Sequence, residues 1–517
     1  MHRALDIDEL VCLICEQLTG DTSTLARLAR VCRSFWEPAV TQLWRSSHLQ
    51  PWHLMRLLPD RLLNLQKGQY LPYDIGWLAG VPTEPDWTRF RLHSPLIYHF
   101  NLIVGARTSP SGTSPPTTDV GGLQALAALV THFGPVLPNL RSLSVALDTS
   151  SDLPLVLPLL SPTITSFALD RSYCANDVVV KGLEYAVFIQ SLPERTPYLR
   201  ELSLRFRASS DEGLDSAISS TVRSLTSLME LTLDLDPTPS LFTALSVNSS
   251  LRTIKWTNAD VYQATRIRNP QPLAFDSLTS LTVLHISYSH IFNFFEMFHF
   301  PALRHVKISF QGCQGYLGGD WLTTSMANLL QGLARFEKLT TLTLDFTHGL
   351  AGRMRLLASD LEPLLACLKM HTLKILPDHT DWVSRAKSLH VEWRDQHIVQ
   401  MMTSWPALRR LVLPSGHGSA RKTSVTLGSL ALISTFCPHL QYLGIPVNID
   451  SFNVYTPLPD PAPTVQTFAF GSASYLDAWP LIQAAAARFI RHLFPNARIL
   501  AHGLHHRDAE HFRAMFG

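Results

Sequence analysis

The sequence is poor in charge, in cysteine and in uninterrupted apolar runs. Only 16% of its 517 residues are charged, with a net charge of +2, so the composition favours neither a nucleic-acid partner nor an anionic membrane. The seven cysteines are too sparse and irregular for a disulfide framework, which predicts a reducing compartment, the cytoplasm or the nucleus. Prolines interrupt uncharged stretches such as Leu153 to Leu169, and Asp6, Asp8 and Glu9 interrupt any leader-like run. We therefore expect no membrane span and no signal peptide.

Residue sets typical of an enzyme or a metal centre are also missing from the sequence. Cys12 and Cys15 have the spacing of a redox or zinc pair, but no second pair accompanies them, so we interpret them as helix packing. Four histidines near the C-terminus could gather into a metal site, but a solvated cap is the favoured interpretation. They are His502, His505, His506 and His511. We therefore expect no enzymatic activity, no catalytic residues, no metal and no cofactor.

The first 45 or so residues carry apolar side chains at the spacing of three short amphipathic helices. One apolar face runs from Leu5 to Leu18, and a second runs from Leu25 to Val31 after a polar break. A third helix opens after Cys32. Three helices of this size bury too little apolar surface to be stable alone, so the pattern implies a binding partner.

The same stretch contains a run of short motifs. They are Met1-His2-Arg3-Ala4-Leu5, Ile7-x-Glu9-Leu10, Leu28-Ala29-Arg30-Val31-Cys32-Arg33-Ser34-Phe35, Glu37-Pro38-Ala39 and Leu43-Trp44-Arg45. This run resembles an F-box, and it is most similar to the F-box proteins of mushroom-forming (basidiomycete) fungi. That family usually has proline where this chain has Asp8. Aspartate also suits the first turn of a helix, because its carboxylate can accept the free N–H groups there.

The resemblance implies a substrate receptor of a cullin-RING (SCF-type) ubiquitin ligase. In such a receptor the F-box docks on an S-phase-kinase-associated-type adaptor, which connects it to the cullin scaffold, and the rest of the chain holds a protein substrate for ubiquitin-dependent degradation. The residues that the resemblance assigns to adaptor binding are Ile7, Leu10, Ile14, Leu18, Leu28, Val31, Trp36, Leu43 and Trp44. Two alternatives stay open: an F-box protein that does not serve ubiquitin transfer, and a leucine-rich-repeat scaffold for protein–protein interaction that binds no adaptor.

Beyond residue 95 the sequence repeats the pattern L-x-x-L-x-L at intervals of 22 to 43 residues. The first copy is Ile97-Phe100-Leu102. Later copies begin at Leu140, Ile164, Leu199, Leu228, Leu251, Leu281, Leu303, Leu339, Met370, Leu408, Leu440, Val465 and Ala497. The last two apolar positions of each copy fall on one face of a strand, and the segments between copies carry apolar residues at helical spacing. One strand and one crossover helix per unit are typical of a leucine-rich-repeat solenoid.

The predicted fold class is therefore α/β, with three helices followed by a parallel sheet. We expect an F-box over 1–48, a linker and cap over 49–94, and a solenoid over 95–517. The stretch 105–122, rich in Ser, Thr, Pro and Gly, is predicted to be a mobile loop. The middle apolar residues of the units, such as Leu202, Leu231, Leu284 and Leu342, should form one buried row.

The central strand positions should face the concave side of the sheet and contact a ligand. In the middle of the chain these positions carry cations, so we predict a substrate-binding row of Lys255, His285, Lys307 and Lys374 that attracts an acidic or phosphorylated segment of a protein. Arginines also recur at the second repeat position, where a phosphate-binding ladder is the alternative to side chains that lie along neighbouring repeats. They are Arg141, Arg200, Arg252, Arg304, Arg409 and Arg498.

Overall fold

The computed structural model of the chain describes most, but not all, of its residues. The described ranges are 7–45, 56–66, 75–78, 83–104, 136–147, 150–171, 182–205, 212–235, 238–257, 273–286, 298–311, 319–348, 355–356, 358–376, 390–391, 393–414, 425–448, 458–471 and 480–502, with a few single positions between them. The chain falls into two compact units, Met1–Asp234 and Leu235–Gly517. The predicted boundaries at residues 48 and 94 are not tested by this division and stay a prediction.

Three helices open the first unit, at the positions that the apolar pattern predicts. They are α1 (Asp8–Gln17), α2 (Thr22–Leu28) and α3 (Arg33–Arg45). Asp8 begins α1, and together with Glu9 it places two carboxylates in the first turn, where the helix dipole favours negative charge. Asp21 caps α2 by accepting the Thr24 N–H at 3.0 Å. Hydrogen bonds from Thr24 lower the pKa of the Asp21 carboxyl.

A small core joins these three helices. Its buried members come from all three: Val11, Cys15, Leu25, Phe35 and Ala39. Partly buried side chains pack around them: Leu18, Leu28, Ala29, Cys32 and Leu43. Because this core has only five buried members, much of the apolar surface of these helices lies outside it.

A cap follows the three helices in the same unit. Its elements are a 3-10 turn (Asp60–Leu62), the antiparallel strands β1 (Leu63–Gln66) and β2 (Ile75–Leu78), a second 3-10 turn (Glu84–Trp87), α4 (Thr88–His93) and a third turn (Ser94–Leu96). Trp87 and Phe90 are buried, with their rings edge to face at 5.1 Å. These two residues are therefore buried anchors of the cap.

Ring stacking connects the end of α3 to this cap and to the first repeat. Trp44 lies on His93 with the ring centroids 4.9 Å apart, and the Arg45 guanidinium lies 5.0 Å from the centre of the Tyr98 ring. Arg141 covers the same tyrosine at 5.4 Å. These aromatic and cation–π contacts fix the last turn of α3 against the start of the repeats.

Five parallel strands form the repeat sheet of the first unit. They are β3 (His99–Val104), β4 (Ser142–Leu147), β5 (Ser166–Arg171), β6 (Glu201–Arg205) and β7 (Glu230–Leu233), each paired with the next. The described connections contain α5 (Leu153–Val156), α6 (Gly182–Arg195), α7 (Glu212–Ser224) and the 3-10 turns Ser150–Asp152 and Leu157–Leu159. Phe188 of α6 meets Phe167 of β5 at 5.8 Å, so helices cover the apolar face of the strands.

The second unit repeats this arrangement with nine described parallel strands. They are β8 (Thr253–Thr257), β10 (Ser280–Ile286), β12 (His305–Gln311), β13 (Thr341–His348), β15 (Thr372–Leu376), β17 (Arg410–Val412), β18 (Tyr442–Ile445), β19 (Thr467–Gly471) and β20 (Arg498–His502). Two short parallel pairs lie outside this sheet: β9 (Leu273–Ala274) with β11 (Phe298–His299), and β14 (Arg355–Leu356) with β16 (His390–Val391).

Helices again cover the apolar face of this sheet. Phe242, for example, packs against Trp256 of β8 at 5.3 Å. The helices of the second unit are α8 (Pro239–Val247), α9 (Gly319–Ala334), a 3-10 helix (Ala358–Ala366), α10 (Asp395–Ser404), α11 (Leu427–Leu430), α12 (Ile433–Phe436) and α13 (Pro480–Leu493). The predicted α/β fold class, with three N-terminal helices and leucine-rich repeats on a parallel sheet, is confirmed.

The strand register confirms most of the predicted buried row and corrects two units: the unit predicted to begin at Leu281, and the last unit, in which Ile499 and not Leu500 pairs with Phe468. Leu202, Leu231 and Leu342 are buried in register with their neighbours, but Leu284 is not. Among the β10 side chains that the structure describes, Leu281 and Val283 are buried, and Leu281 pairs with Ile254 and with Val306. This repeat copy therefore begins at Leu278, which is also buried, three residues before the predicted start at Leu281.

The backbone carbonyl at the second repeat position accepts hydrogen bonds from the start of the next strand. The Arg141 carbonyl accepts the N–H groups of both Thr165 and Ser166, and the Arg304 carbonyl accepts those of Thr340 and Thr341. The side chains of Arg141, Arg200, Arg252, Arg304 and Arg409 are exposed at this strand entrance. Arg498 differs, because it pairs with Thr467 within the sheet. The predicted ladder of six arginines is therefore incomplete at its last member.

The segment Leu361 to Leu368 departs from the predicted α-helical face. A 3-10 helix, Ala358–Ala366, takes its place, and Leu361 and Leu364, three residues apart, are buried in it. After the helix ends, Cys367 is buried and Leu368 lies in a turn, 66% exposed. Pro363 within this helix removes one backbone donor, which disfavours regular α-helix. The predicted mobile loop 105–122 and the side chains of the four C-terminal histidines lie outside the described residues.

The corrected register predicts unequal costs for two neighbouring leucines. Leu281→Ala should lower the free energy of unfolding by about 2 to 5 kcal/mol because it empties a fully buried site, whereas Leu284→Ala should cost less than about 1.5 kcal/mol because that side chain is partly solvated. Urea denaturation of the full chain, followed by fluorescence, measures both. An equal or larger loss for Leu284→Ala would show that the register is wrong.

The contact of His93 with Trp44 predicts a pH-dependent stability. Burial, followed by the nearby Arg89, lowers the pKa of His93. The unfolded chain therefore binds this proton more readily, so stability is full above the ordinary histidine pKa of about 6.5 and falls as the pH drops through the lower folded value. His93→Phe keeps an aromatic ring against Trp44 but removes the titration.

The loss of unfolding free energy between about pH 7.5 and about pH 5.5 should therefore be smaller in His93→Phe than in the parent chain. Burial also lowers the pKa of His305 and His397, but both histidines are present in the two proteins and cancel in the comparison. The same pH-dependent loss in both chains would contradict this account of His93.

Candidate functional site

Five of the nine predicted adaptor-binding residues are exposed on α1 and α3 or just before these helices. They are Ile7 (46%), Leu10 (40%), Ile14 (39%), Val31 (67%) and Trp36 (44%). Each is a large apolar side chain that leaves a substantial part of its surface in contact with solvent. Surfaces that gather such side chains commonly bind other proteins, and aromatic residues dominate their energetics.

Helix α1 shows why these side chains remain exposed. Apolar residues occupy more than half of its circumference, but the small core covers only the side that carries Val11 and Cys15. Leu10 and Ile14 are four residues apart, so they lie one helical turn apart on the uncovered side. Leu13, 52% exposed, extends the same side. Leu13 is not among the predicted adaptor-binding residues, although its apolar character and its spacing from Leu10 are visible in the sequence.

The other four predicted residues are packed against parts of this chain. Leu18, Leu28 and Leu43 surround the three-helix core, and Trp44 stacks on His93. The three leucines therefore contribute to packing of the helices, and Trp44 connects α3 to the cap. Any contribution of these four residues to adaptor binding stays a prediction.

A second candidate site lies on the outward face of the sheet in the second unit. Within β8, Ile254 and Trp256 are buried and Lys255 between them points to the opposite face. The same alternation holds for Lys307 in β12 and Lys374 in β15. The register runs Lys255–Thr282–Lys307–Thr343–Lys374 across five successive strands. We call these five residues the lysine row.

His285 does not belong to the lysine row, which corrects the sequence analysis. Thr282 pairs with both Lys255 and Lys307, and His285 lies three residues further along β10, within the register irregularity between Val283 and Ile286. The cause is the same shift in β10 that misplaced Leu284. Lys255, Lys307 and Lys374 are therefore the predicted substrate-binding residues that the structure brings together, with threonine between each pair.

The lysine row carries net positive charge. Arg410, which pairs with Thr372 on the strand beside Lys374, adds a cation next to the row. Partial burial, followed by the charges of Arg410 and Lys307, lowers the pKa of Lys374. One described acid interacts with the row: an Asp345 carboxylate oxygen lies 3.9 Å from the Lys307 ammonium, whose side chain stays 46% exposed. Such a contact is worth about 1 kcal/mol or less, so Lys307 remains available to a ligand.

Three of the five described cysteines are buried thiols, whereas Cys12, predicted to serve helix packing, is exposed and Cys32 is partly buried. Cys15 is buried in the three-helix core and burial raises its pKa, while burial raises the pKa of Cys367 to about 11 and that of Cys437 to about 12. These thiols are protonated at neutral pH and are poor nucleophiles. Within the described ranges, no three His, Cys, Asp or Glu side chains come together as a potential metal site.

None of the described helices is both long enough and apolar enough to cross a membrane.

Comparison with known proteins yields structural neighbours only. No protein-family model matches the chain, and no curated protein matches it. Among solved structures, an internalin of Listeria monocytogenes is similar over 71% of this chain and 76% of its own, with 15% sequence identity and a TM-score of 0.32. A leucine-rich-repeat protein of Leptospira interrogans is similar over 70% of this chain and 90% of its own, with 11% identity and a TM-score of 0.28.

Proposed function

We propose that this chain is a substrate receptor of a cullin-RING ubiquitin ligase, without catalysis of its own. Its three N-terminal helices would bind an S-phase-kinase-associated-type adaptor, and its repeats would hold a protein substrate. The observation that carries the proposal is the exposed apolar surface on helices that resemble an F-box in sequence. The adaptor would connect the chain to the cullin scaffold.

The uncovered side of α1 offers apolar surface that an adaptor can bury. Leu10, Leu13 and Ile14 expose 40%, 52% and 39% of their surface, next to a core of only five buried residues. Burial of apolar surface on an adaptor contributes about 25 cal/mol for each Å² removed from water. Docking would therefore stabilise the three helices as well as the complex.

The repeats support the substrate-binding half of the proposal. Parallel strands place polar side chains from separate units side by side on one face, as the lysine row illustrates. A single partner can contact many units of such a sheet at once. Two alternative functions would use the same face of the sheet. One is an F-box protein outside ubiquitin transfer, and the other is a repeat scaffold that binds no adaptor.

The proposal predicts that two substitutions on α1 will abolish adaptor binding. Leu10→Glu combined with Ile14→Glu places two carboxylates in the docking surface, where burying each charge opposes binding. Recovery of the adaptor with the tagged full-length chain should fall by about tenfold or more. Both positions are exposed, so the chain should keep its thermal stability.

The matched control replaces Leu183 and Val187 with glutamate. These residues lie one turn apart on α6 and are 75% and 60% exposed, so the control makes the same chemical change on another helix of the same unit. Adaptor recovery should be unchanged. Absence of adaptor with the parent chain would favour the adaptor-free scaffold, and undiminished adaptor with Leu10→Glu/Ile14→Glu would remove the assigned surface. Stable substrates despite adaptor binding would favour the non-ligase F-box.

A further inference from the structure

The three lysines of the lysine row are evenly spaced. Neighbouring strands of a sheet lie about 4.8 Å apart, and the register places a lysine on every second strand, so successive lysines are separated by about 9.6 Å at the backbone. Lys255 and Lys374 are then about 19 Å apart. The direct register aligns the row perpendicular to the strands.

The positions between and beyond the lysines are uncharged. Thr282 and Thr343 separate the three cations, and their hydroxyl groups can donate to or accept from a bound chain. After Lys374 the row continues with Val412, Gly444 and Ala469. The charge pattern that faces a ligand is therefore three cations at one interval, followed by small uncharged residues.

Few backbone conformations present anions at this interval on one side. In a β-strand, side chains on one side recur every second residue, about 6.7 Å apart, which does not match. An α-helix brings a side chain back to the same face about every 5.4 Å. The polyproline II helix has three residues per turn and rises about 3.1 Å per residue, so every third side chain lies on one face at about 9.3 Å.

We propose that the lysine row binds an extended acidic segment of a protein in the polyproline II conformation, with an anionic side chain at every third residue. Seven residues of such a segment span about 19 Å, the distance from Lys255 to Lys374. The anionic groups are carboxylates or phosphates, which share the chemistry that ammonium groups bind. This inference deepens the proposed receptor function, on which it rests for its biological role, by naming the class of segment that the repeats recognise.

The competing charge on this face does not prevent such binding. Asp345 contacts Lys307 at 3.9 Å, but an ion pair with a side chain 46% exposed exchanges readily for another carboxylate. Arg410, on the strand after Lys374, adds attraction at that end of the row. His305, two residues before Lys307 on the same outward face, is the nearby titratable group of β12. Its pKa is lowered, mainly by burial, so it is neutral at pH 7.

Fluorescence anisotropy with synthetic peptides and the full-length chain tests the inference. The first peptide is Glu-Pro-Pro-Glu-Pro-Pro-Glu, and the second has the same composition with contiguous charges, Glu-Glu-Glu-Pro-Pro-Pro-Pro. A second pair replaces each glutamate with phosphoserine and thereby distinguishes the two sources of anion. In at least one pair the spaced peptide should bind about tenfold tighter than the contiguous one, and the affinity should fall as NaCl rises from about 50 mM to about 300 mM.

Neutral variants locate the binding site. Lys255→Gln/Lys307→Gln keeps most of each stem and should weaken the spaced peptide by about tenfold or more. The matched control, Lys338→Gln/Lys369→Gln, removes the same charge from exposed turns before β13 and β15 and should bind as the parent does. Equal affinity for spaced and contiguous peptides, no binding of any peptide, or equal weakening by both variants would overturn the inference.

Adaptor recovery distinguishes failure of this inference from failure of the proposed function. Lys255→Gln/Lys307→Gln should recover as much adaptor as the parent chain, because the substitutions lie in the second unit, outside the three N-terminal helices. Loss of peptide binding with intact adaptor recovery supports the assignment to the lysine row. Peptide binding that persists in a chain that recovers no adaptor supports the lysine row while contradicting the receptor function.

Discussion

The repeats depend on one constraint, the alternation of side chains along parallel strands held in register. In β8, Ile254 and Trp256 turn toward the helices, and the residue between them must then face outward. Direct pairing of neighbouring strands carries this choice from unit to unit. The buried rows and the outward lysine row are therefore two consequences of the same register.

The three N-terminal helices obey a different constraint, the small size of their core. Five buried residues cover one side of α1 and leave Leu10, Leu13 and Ile14 in solvent. At the other end, Trp44 and Arg45 contact His93 and Tyr98, so α3 is fixed to the cap and to the start of the repeats. The apolar surface that faces away from these contacts is the one that a partner can cover.

The sequence predicts the helices and most strands because their patterns are locally unambiguous. Leu202 and Leu342 each lie in a copy of the repeat with one possible alignment, and both are buried as predicted. The stretch Leu278 to Ile286 allows two alignments, since Leu278-Leu281-Val283 and Leu281-Leu284-Ile286 both fit. Only the pairing of Leu281 with Ile254 and Val306 decides between them. The alignment that begins at Leu281 is the one that predicts His285 in the cationic row.

Packing with distant residues explains the remaining differences. Trp44 belongs to the F-box-like motif by sequence, but its contact with His93, nearly fifty residues away, could not be inferred from local spacing. The Leu361 to Leu368 segment has helical spacing in sequence, yet it contains a 3-10 helix with Pro363 inside it that ends at Ala366, and in the turn that follows Leu368 is exposed. The local pattern alone allows Trp44 to be either packed or exposed, and the Leu361 to Leu368 segment to be either an α-helix or a 3-10 helix.

The position of Thr282 between Lys255 and Lys307 is the central structural claim, and disulfide trapping tests it most directly. Paired residues on neighbouring parallel strands have Cα atoms about 4.8 Å apart, within the range that a disulfide spans. Under mild oxidation, Lys255→Cys/Thr282→Cys should form a cross-link that mass spectrometry detects between the two peptides. Lys255→Cys/His285→Cys should not, because residue 285 lies about 10 Å further along the strand. Cross-linking of the second pair in place of the first would contradict the register and the lysine row.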